Sequence, residues 1–170
     1  MAILRANNNT LSSISALPFA TGGLVFISGV TLSNVASVSF TGIDSTYETY
    51  VFMLNNVVPA SDGVQLLMRT STDGGSSFDS TSGDYDTRSA SINNGGSFES
   101  SGSTSADALG LSYGSSNLGS ASGESASAIV HLFQPSNSSL FTTMSYTGVG
   151  ILNDASARSQ FGSGARMATE

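Results

Sequence analysis

The run Ser71-Thr-Asp-Gly-Gly-Ser-Ser-Phe78 sets a carboxylate two residues after one hydroxyl and directly before paired glycines. In that spacing Asp73 can collect backbone N–H bonds across a turn, Gly74 and Gly75 permit positive φ, and Phe78 can pack beneath the loop. Asp73, Asp79, Asp84 and Asp86 crowd one stretch and could offer oxygen ligands to Ca²⁺, which takes about 6–8 of them. His131 is the one histidine, so any Ser-His-Asp chemistry would have to pass through it. Asp44, Glu48, Asp62, Asp84, Asp86, Glu99 and Glu124 could furnish a carboxylate pair for glycoside hydrolysis, which needs two carboxyls about 5–9.5 Å apart.

Each chemistry meets an objection in the sequence. The Ser71–Phe78 pattern is that of an Asp box, which sialidase-like propellers repeat over about four to eight blades. This chain has one copy, and Arg5, Arg69, Arg88, Arg158 and Arg166 are scattered, so little is available to build an arginine cluster for a sugar carboxylate. The box therefore reads as a structural hairpin turn. The acidic stretch lacks the glycine and closing glutamate of an EF-hand loop and reads as a solvated turn, so no metal or other cofactor is expected. No G-x-S-x-G elbow accompanies His131, whose neighbours Ile129-Val-His-Leu-Phe133 make it a strand residue. The carboxylate pair stays unconstrained, and with no Trp the aromatic set is thin for a sugar platform. Tyr85 and Tyr113 are the side chains that could meet a partner or glycan. No catalytic residue is assigned, and the expectation is a protein that is not an enzyme.

The elements that would carry these residues are strands. Apolar residues recur at short, strand-like periods, and sustained helical spacing is absent. Leu24–Ile27 and Val35–Thr41 read as strands, the second by alternation of Ala36, Val38 and Phe40 with Ser37, Ser39 and Thr41. Tyr50-Val-Phe-Met-Leu54 is apolar on both faces, as suits a central strand or one covered by a partner subunit. Val64–Thr70 leads into the Asp73 turn. Ala128–Phe133 and Leu140–Thr147 form a hairpin around Gln134-Pro-Ser-Asn-Ser-Ser139. Ser89–Ser127 reads as a long Ser/Gly-rich surface excursion with one or two weak strands, Gly148–Leu152 as a further strand, and Asp154–Phe161 as a short helical turn. The expected organisation is an N-terminal arm over 1–20, a domain over 21–161 and a tail or linker over 162–170. The fold class is all-β, an antiparallel β-sandwich of jelly-roll kind.

Composition narrows the partners. The chain has 170 residues, enough for one domain with a core. Charged residues make up 10% of it, against about 25% in an ordinary soluble domain. Neutral polar groups cost less to desolvate than charges, which suits packing against neighbours in an assembly. With 5 Lys plus Arg against 12 Asp plus Glu and a net charge of -7, the clustered cations of nucleic-acid binding are missing. The absence of Cys excludes disulfides and thiolate chemistry. Met1–Thr10 carries no apolar signal-peptide core, and no stretch approaches membrane-spanning length, so neither secretion by a signal peptide nor membrane insertion is expected.

Ala2–Leu11, Gly42–Phe52 with Asn55-Asn-Val57 and Pro59, Ser71–Ser77 and His131-Leu-Phe-Gln-Pro135 together resemble a group of virion structural proteins of tailed phages of aquatic bacteria and cyanobacteria, usually tail-fibre-like. The resemblance spans most of the chain outside Ser89–Ser127. It implies a β-sandwich particle component of a tail fibre or exterior appendage involved in host attachment, made in the host cytoplasm and located in the virion. It also implies contacts with other virion proteins and a homo-oligomer, a trimer if the assembly is a fibre. It carries over no catalytic residues. Similar proteins continue beyond the position of Glu170, so either the chain is truncated or another subunit completes its sandwich by strand addition. The alternatives are a capsid decoration protein and a carbohydrate-binding module recognising host surface glycans.

Overall fold

The computed structural model describes residues 23–112 and 117–168. Two compact units are present, residues 1–33 and 34–170. The arm over 1–20 lies outside the described residues. In the first unit, residues 23–33 form no strand, and Leu24, Val25, Phe26 and Ile27 are exposed. In the second, Val35–Thr41 is likewise exposed and without a strand partner. The strands expected at Leu24–Ile27 and Val35–Thr41 are therefore not formed. Among the described residues neither segment has a strand partner, so apolar patterning alone does not make them strands.

The second unit is all-β, with no helix among the described residues. Its strands are β1 (Thr49–Val57), β2 (Leu67–Met68), β3 (Tyr85–Asn93), β4 (Phe98–Ala106), β5 (Leu109–Gly110), β6 (Ser125–Phe133), β7 (Thr143–Ile151) and β8 (Ala157–Arg166). Six pair antiparallel into one sheet in the order β1-β6-β7-β8-β3-β4, and β2 and β5 form a separate two-stranded ribbon. The result is consistent with a β-sandwich of one large and one small layer. A jelly-roll strand order does not follow from this pairing.

Alternation explains how the large sheet acquires two faces. In β6, Val130 and Leu132 point inward while Ile129, His131 and Phe133 point outward; in β7, Met144 and Tyr146 point inward. These four meet Tyr50, Tyr85, Leu109 and Leu111 in the core, with Phe52, Leu54, Leu66 and Met68 packed at its margin. Each such aliphatic side chain contributes roughly 1.5–3 kcal/mol when fully withdrawn from water. On β8 the inward positions Gly162 and Gly164 hold no side chain, for a physical reason. A Cβ on Gly162 would come 2.5 Å from Tyr146 Cε1, and one on Gly164 would come 2.4 Å from Leu109 Cδ2. The core aromatics and the ribbon press directly on the β8 backbone.

Several expectations are corrected by this arrangement. Tyr50–Leu54 lies in β1, an edge strand and not a central one. Its outward Met53 is 59% exposed. The strand also runs on through Asn55 and Asn56 by means of a bulge, with Asn56 at φ 51. Ser89–Ser127 is no excursion: it contains the end of β3, all of β4 and β5 and the start of β6. Asp154–Phe161 forms no helical turn, and Gly162–Arg166 is no tail, because residues from Ala157 onward pair with both β7 and β3. The β6–β7 hairpin forms, with β6 beginning earlier, at Ser125, and β7 beginning at Thr143 instead of Leu140 and running on through Gly148–Ile151. Val64–Thr70 supplies only the two residues of β2 and an isolated bridge at Val64.

Candidate functional site

The Ser71–Phe78 loop closes where Asp79 N–H donates to the Thr70 carbonyl at 3.0 Å. Within it, Asp73 Oδ1 accepts from the N–H groups of Ser76 and Ser77, both at 2.9 Å, and from Ser71 Oγ at 2.7 Å. Its Oδ2 accepts from Ser77 Oγ at 2.6 Å. These donors, the Ser77 hydroxyl first, hold the carboxyl well below the usual carboxylate range, because they favour the charged form. Gly74 and Gly75 take φ +74 and +93, as the turn requires. Phe78 is 39% exposed.

The sheet grips this loop at its base. Tyr85 Oη accepts from Thr70 N–H at 2.9 Å and donates to the Asp79 carbonyl at 3.1 Å. Asp79 is held in turn by Arg166 Nε at 2.5 Å, from the β8 position registered against Tyr85. Tyr85 is 0% exposed, which corrects its assignment as a partner or glycan contact: the ring fills the core and its hydroxyl is spent on the loop. Burial first raises its pKa, partly offset by the Thr70 hydrogen bonds. Tyr113 lies outside the described residues.

Asp84 accepts from Thr81 N–H at 2.6 Å, and Asp86 points to the opposite face of β3 from Tyr85. Asp44 binds the Tyr50 hydroxyl at 3.2 Å, and Glu124 accepts from Ala121 N–H at 2.8 Å. Among the described residues no group of His, Asp and Glu is placed to hold a metal ion. His131 sits half-buried on β6, stacked against Phe133 with centroids 6.1 Å apart.

Two features escape sequence reasoning. The first is a polar cluster at one end of the sheet. Arg158, 7% exposed, donates to Asp154 Oδ2 at 3.0 Å, to Ser156 Oγ at 3.1 Å and to Glu99 across the sheet. Burial pulls its pKa down, and the hydrogen bonds it donates to Asp154 and Glu99 more than reverse this. The Asp154 carboxyl is lowered to about 2, chiefly by the Ser156 hydroxyl and N–H. The Asp-x-Ser spacing was a signal for this turn; the partner Glu99, 59 residues away, had none.

The second is the outer face of the large sheet. Register places Met53 beside Ile129, carries the row through Thr147 to Phe161, and sets Val149, Ile92 and Phe98 on the adjoining row. Met53, Ile129, Val149, Phe161, Ile92 and Phe98 are 42–63% exposed and cross all six strands as one zigzag stripe. The Phe98 and Phe161 rings lie 6.4 Å apart. The other outward positions are mostly Ser, Thr and Ala. Asp86 and Arg88 bring the only charges at neutral pH among the described strand positions of this face, one of each sign.

No protein-family model, curated protein or solved structure matches the chain.

Proposed function

We propose that this chain is a non-enzymatic structural component of a tailed-phage virion, in a tail fibre or exterior appendage, and that it works by packing against other protein subunits. The observation that carries the reading is the outer sheet face: a stripe of six large apolar side chains among hydroxyls, left exposed on an otherwise acidic domain. Soluble monomers rarely leave a contiguous apolar patch of this kind open unless something covers it. The charge-poor composition and the sequence blocks that resemble phage structural proteins support the same conclusion. Immunogold labelling of purified particles tests it: label on the tail or its appendages is expected, and unlabelled particles would refute it. Copy number per particle separates the rival position, since a capsid decoration protein would be present in hundreds of copies and a fibre component in far fewer.

A further inference from the structure

We infer that the outer face of the six-stranded sheet is a self-association surface, on which a second copy of this chain packs face to face around a two-fold axis. The inference deepens the assembly reading and rests on it for the expectation that the face is covered. It does not depend on where in a particle the protein sits.

Three observations select a second copy over other occupants. The first is size. Five strand spacings of about 4.8 Å and nine residues at about 3.3 Å give a face of roughly 24 by 30 Å, or about 700 Å². A standard protein–protein interface takes about 800 Å² from each partner, so one sheet face is of the right extent by itself.

The second is charge. The chain carries a net charge of -7, yet Asp86 and Arg88 leave the strand positions of this face neutral. An oppositely charged partner would find nothing here to read, whereas a second copy would meet no like-charge repulsion. Five of the other acidic groups lie away from these strand positions: Asp73, Asp79 and Asp84 in the loop before β3, and Glu99 and Asp154 in the Arg158 cluster.

The third is shape. Sheets stack at about 10 Å with aligned strands when each offers a row of side chains to interleave. The zigzag of Met53, Ile129, Val149, Phe161, Ile92 and Phe98 between Ser and Thr positions offers such a row. A surface that meets itself closes around a two-fold axis.

The test is the mass of the purified full chain by size-exclusion chromatography with light scattering. A dimer of twice 17.3 kDa is expected. Val149→Asp places two carboxylates in the interface and should raise the dimer Kd by about 100-fold or more. Val149 is 58% exposed within one copy, so the fold should survive, as circular dichroism will show. Met53→Asp should act in the same direction, and Ser139→Asp in the exposed β6–β7 loop should leave the mass unchanged. Because the chain has no Cys, single thiols give an independent readout. The thiol introduced by Val149→Cys should react with maleimide far more slowly than that introduced by Ser139→Cys. A monomeric wild type, a trimer, a dimer that Val149→Asp leaves intact, or a freely reactive thiol at position 149 would each overturn the inference. Such a result would leave the particle-labelling test of the virion reading untouched.

Discussion

The Asp73 loop and the Arg158 cluster solve the same problem by opposite routes. Each surrounds a depressed carboxyl, Asp73 or Asp154, with hydrogen-bond donors. At Asp73 every donor comes from Ser71, Ser76 or Ser77, and the group is solvent-facing. At Asp154 the local Ser156 donors are joined by the buried Arg158 guanidinium, which also links the turn before β8 to Glu99 of β4, 59 residues away. The local solution fixes the shape of one loop. The distant one ties together parts of the sheet that β3 separates.

If that contrast is right, the largest effect should come from removing the distant clamp. Arg158→Ala leaves Glu99 and Asp154 facing each other without their cation. Breaking a fully buried pair costs about 3–5 kcal/mol, and because the side chains of Glu99 and Asp154 are 34% and 47% exposed, about 2–4 kcal/mol is expected here. Urea unfolding would show it as a lower midpoint. A change under about 0.5 kcal/mol, the range of ordinary surface substitutions, would break the comparison by making the cluster merely superficial.

The loop should respond less, and through its backbone. Gly74→Ala and Gly75→Ala both force a Cβ into the left-handed region, at about 1–2 kcal/mol each. Gly75 should be the worse, because its Cβ would also stand 3.2 Å from Thr41 Cγ2, whereas nothing lies within 4 Å at Gly74. Thermal melts of the two variants side by side read the difference. Equal melting temperatures would mean that Thr41 yields freely and that φ alone sets the cost.

The same local-versus-distant division governs what the sequence could disclose. The Asp73 turn was legible because donors, acceptor and permissive glycines fall within seven residues. The β6–β7 hairpin was legible because Val130, Leu132, Met144 and Tyr146 alternate with outward residues on either side of a Pro- and Asn-containing turn. Strands β4 and β8 were not, since their inward positions are Ser101, Ser103, Gly162 and Gly164 and show no apolar period. They are strands because neighbours pair with them, an outcome of tertiary context and not of propensity. Tyr85 looked available for contact because its neighbours Asp84 and Asp86 are polar; its place in the core depends on β8 and the loop base. The outer stripe was hidden for the same reason. Met53, Ile129, Val149, Phe161, Ile92 and Phe98 come from six strands, and only register makes them one surface. Tyr50–Leu54 gave a partial sign of it, being apolar on both faces although β1 lies at the sheet edge.

Acid should give the smallest effect and draw on both regions below pH 3.8, with the Asp73 loop reaching further into acid. The folded pKa of Asp154 is about 2 against an ordinary 3.8. Because folding depresses it, the group's contribution is fully present above pH 3.8 and is lost as pH falls through about 2. Asp73 is also depressed, so it too loses its contribution on the acid side, and its local donors keep it charged well below the usual range. Both carboxyls face solvent, where screening keeps such terms small. Denaturant midpoints of the wild type should decline between pH 4 and pH 2, and Asp154→Asn should flatten that decline without changing its direction. Asp73→Asn should flatten the same interval, because unfolded Asp73 takes up its proton from about pH 3.8 downward while the folded group stays charged, and should also alter the profile further into acid. Were the double variant to depart from the sum of the two single effects by more than about 0.5 kcal/mol, the two regions would be one electrostatic unit, and the distinction between a self-contained turn and a clamp across the sheet would fail.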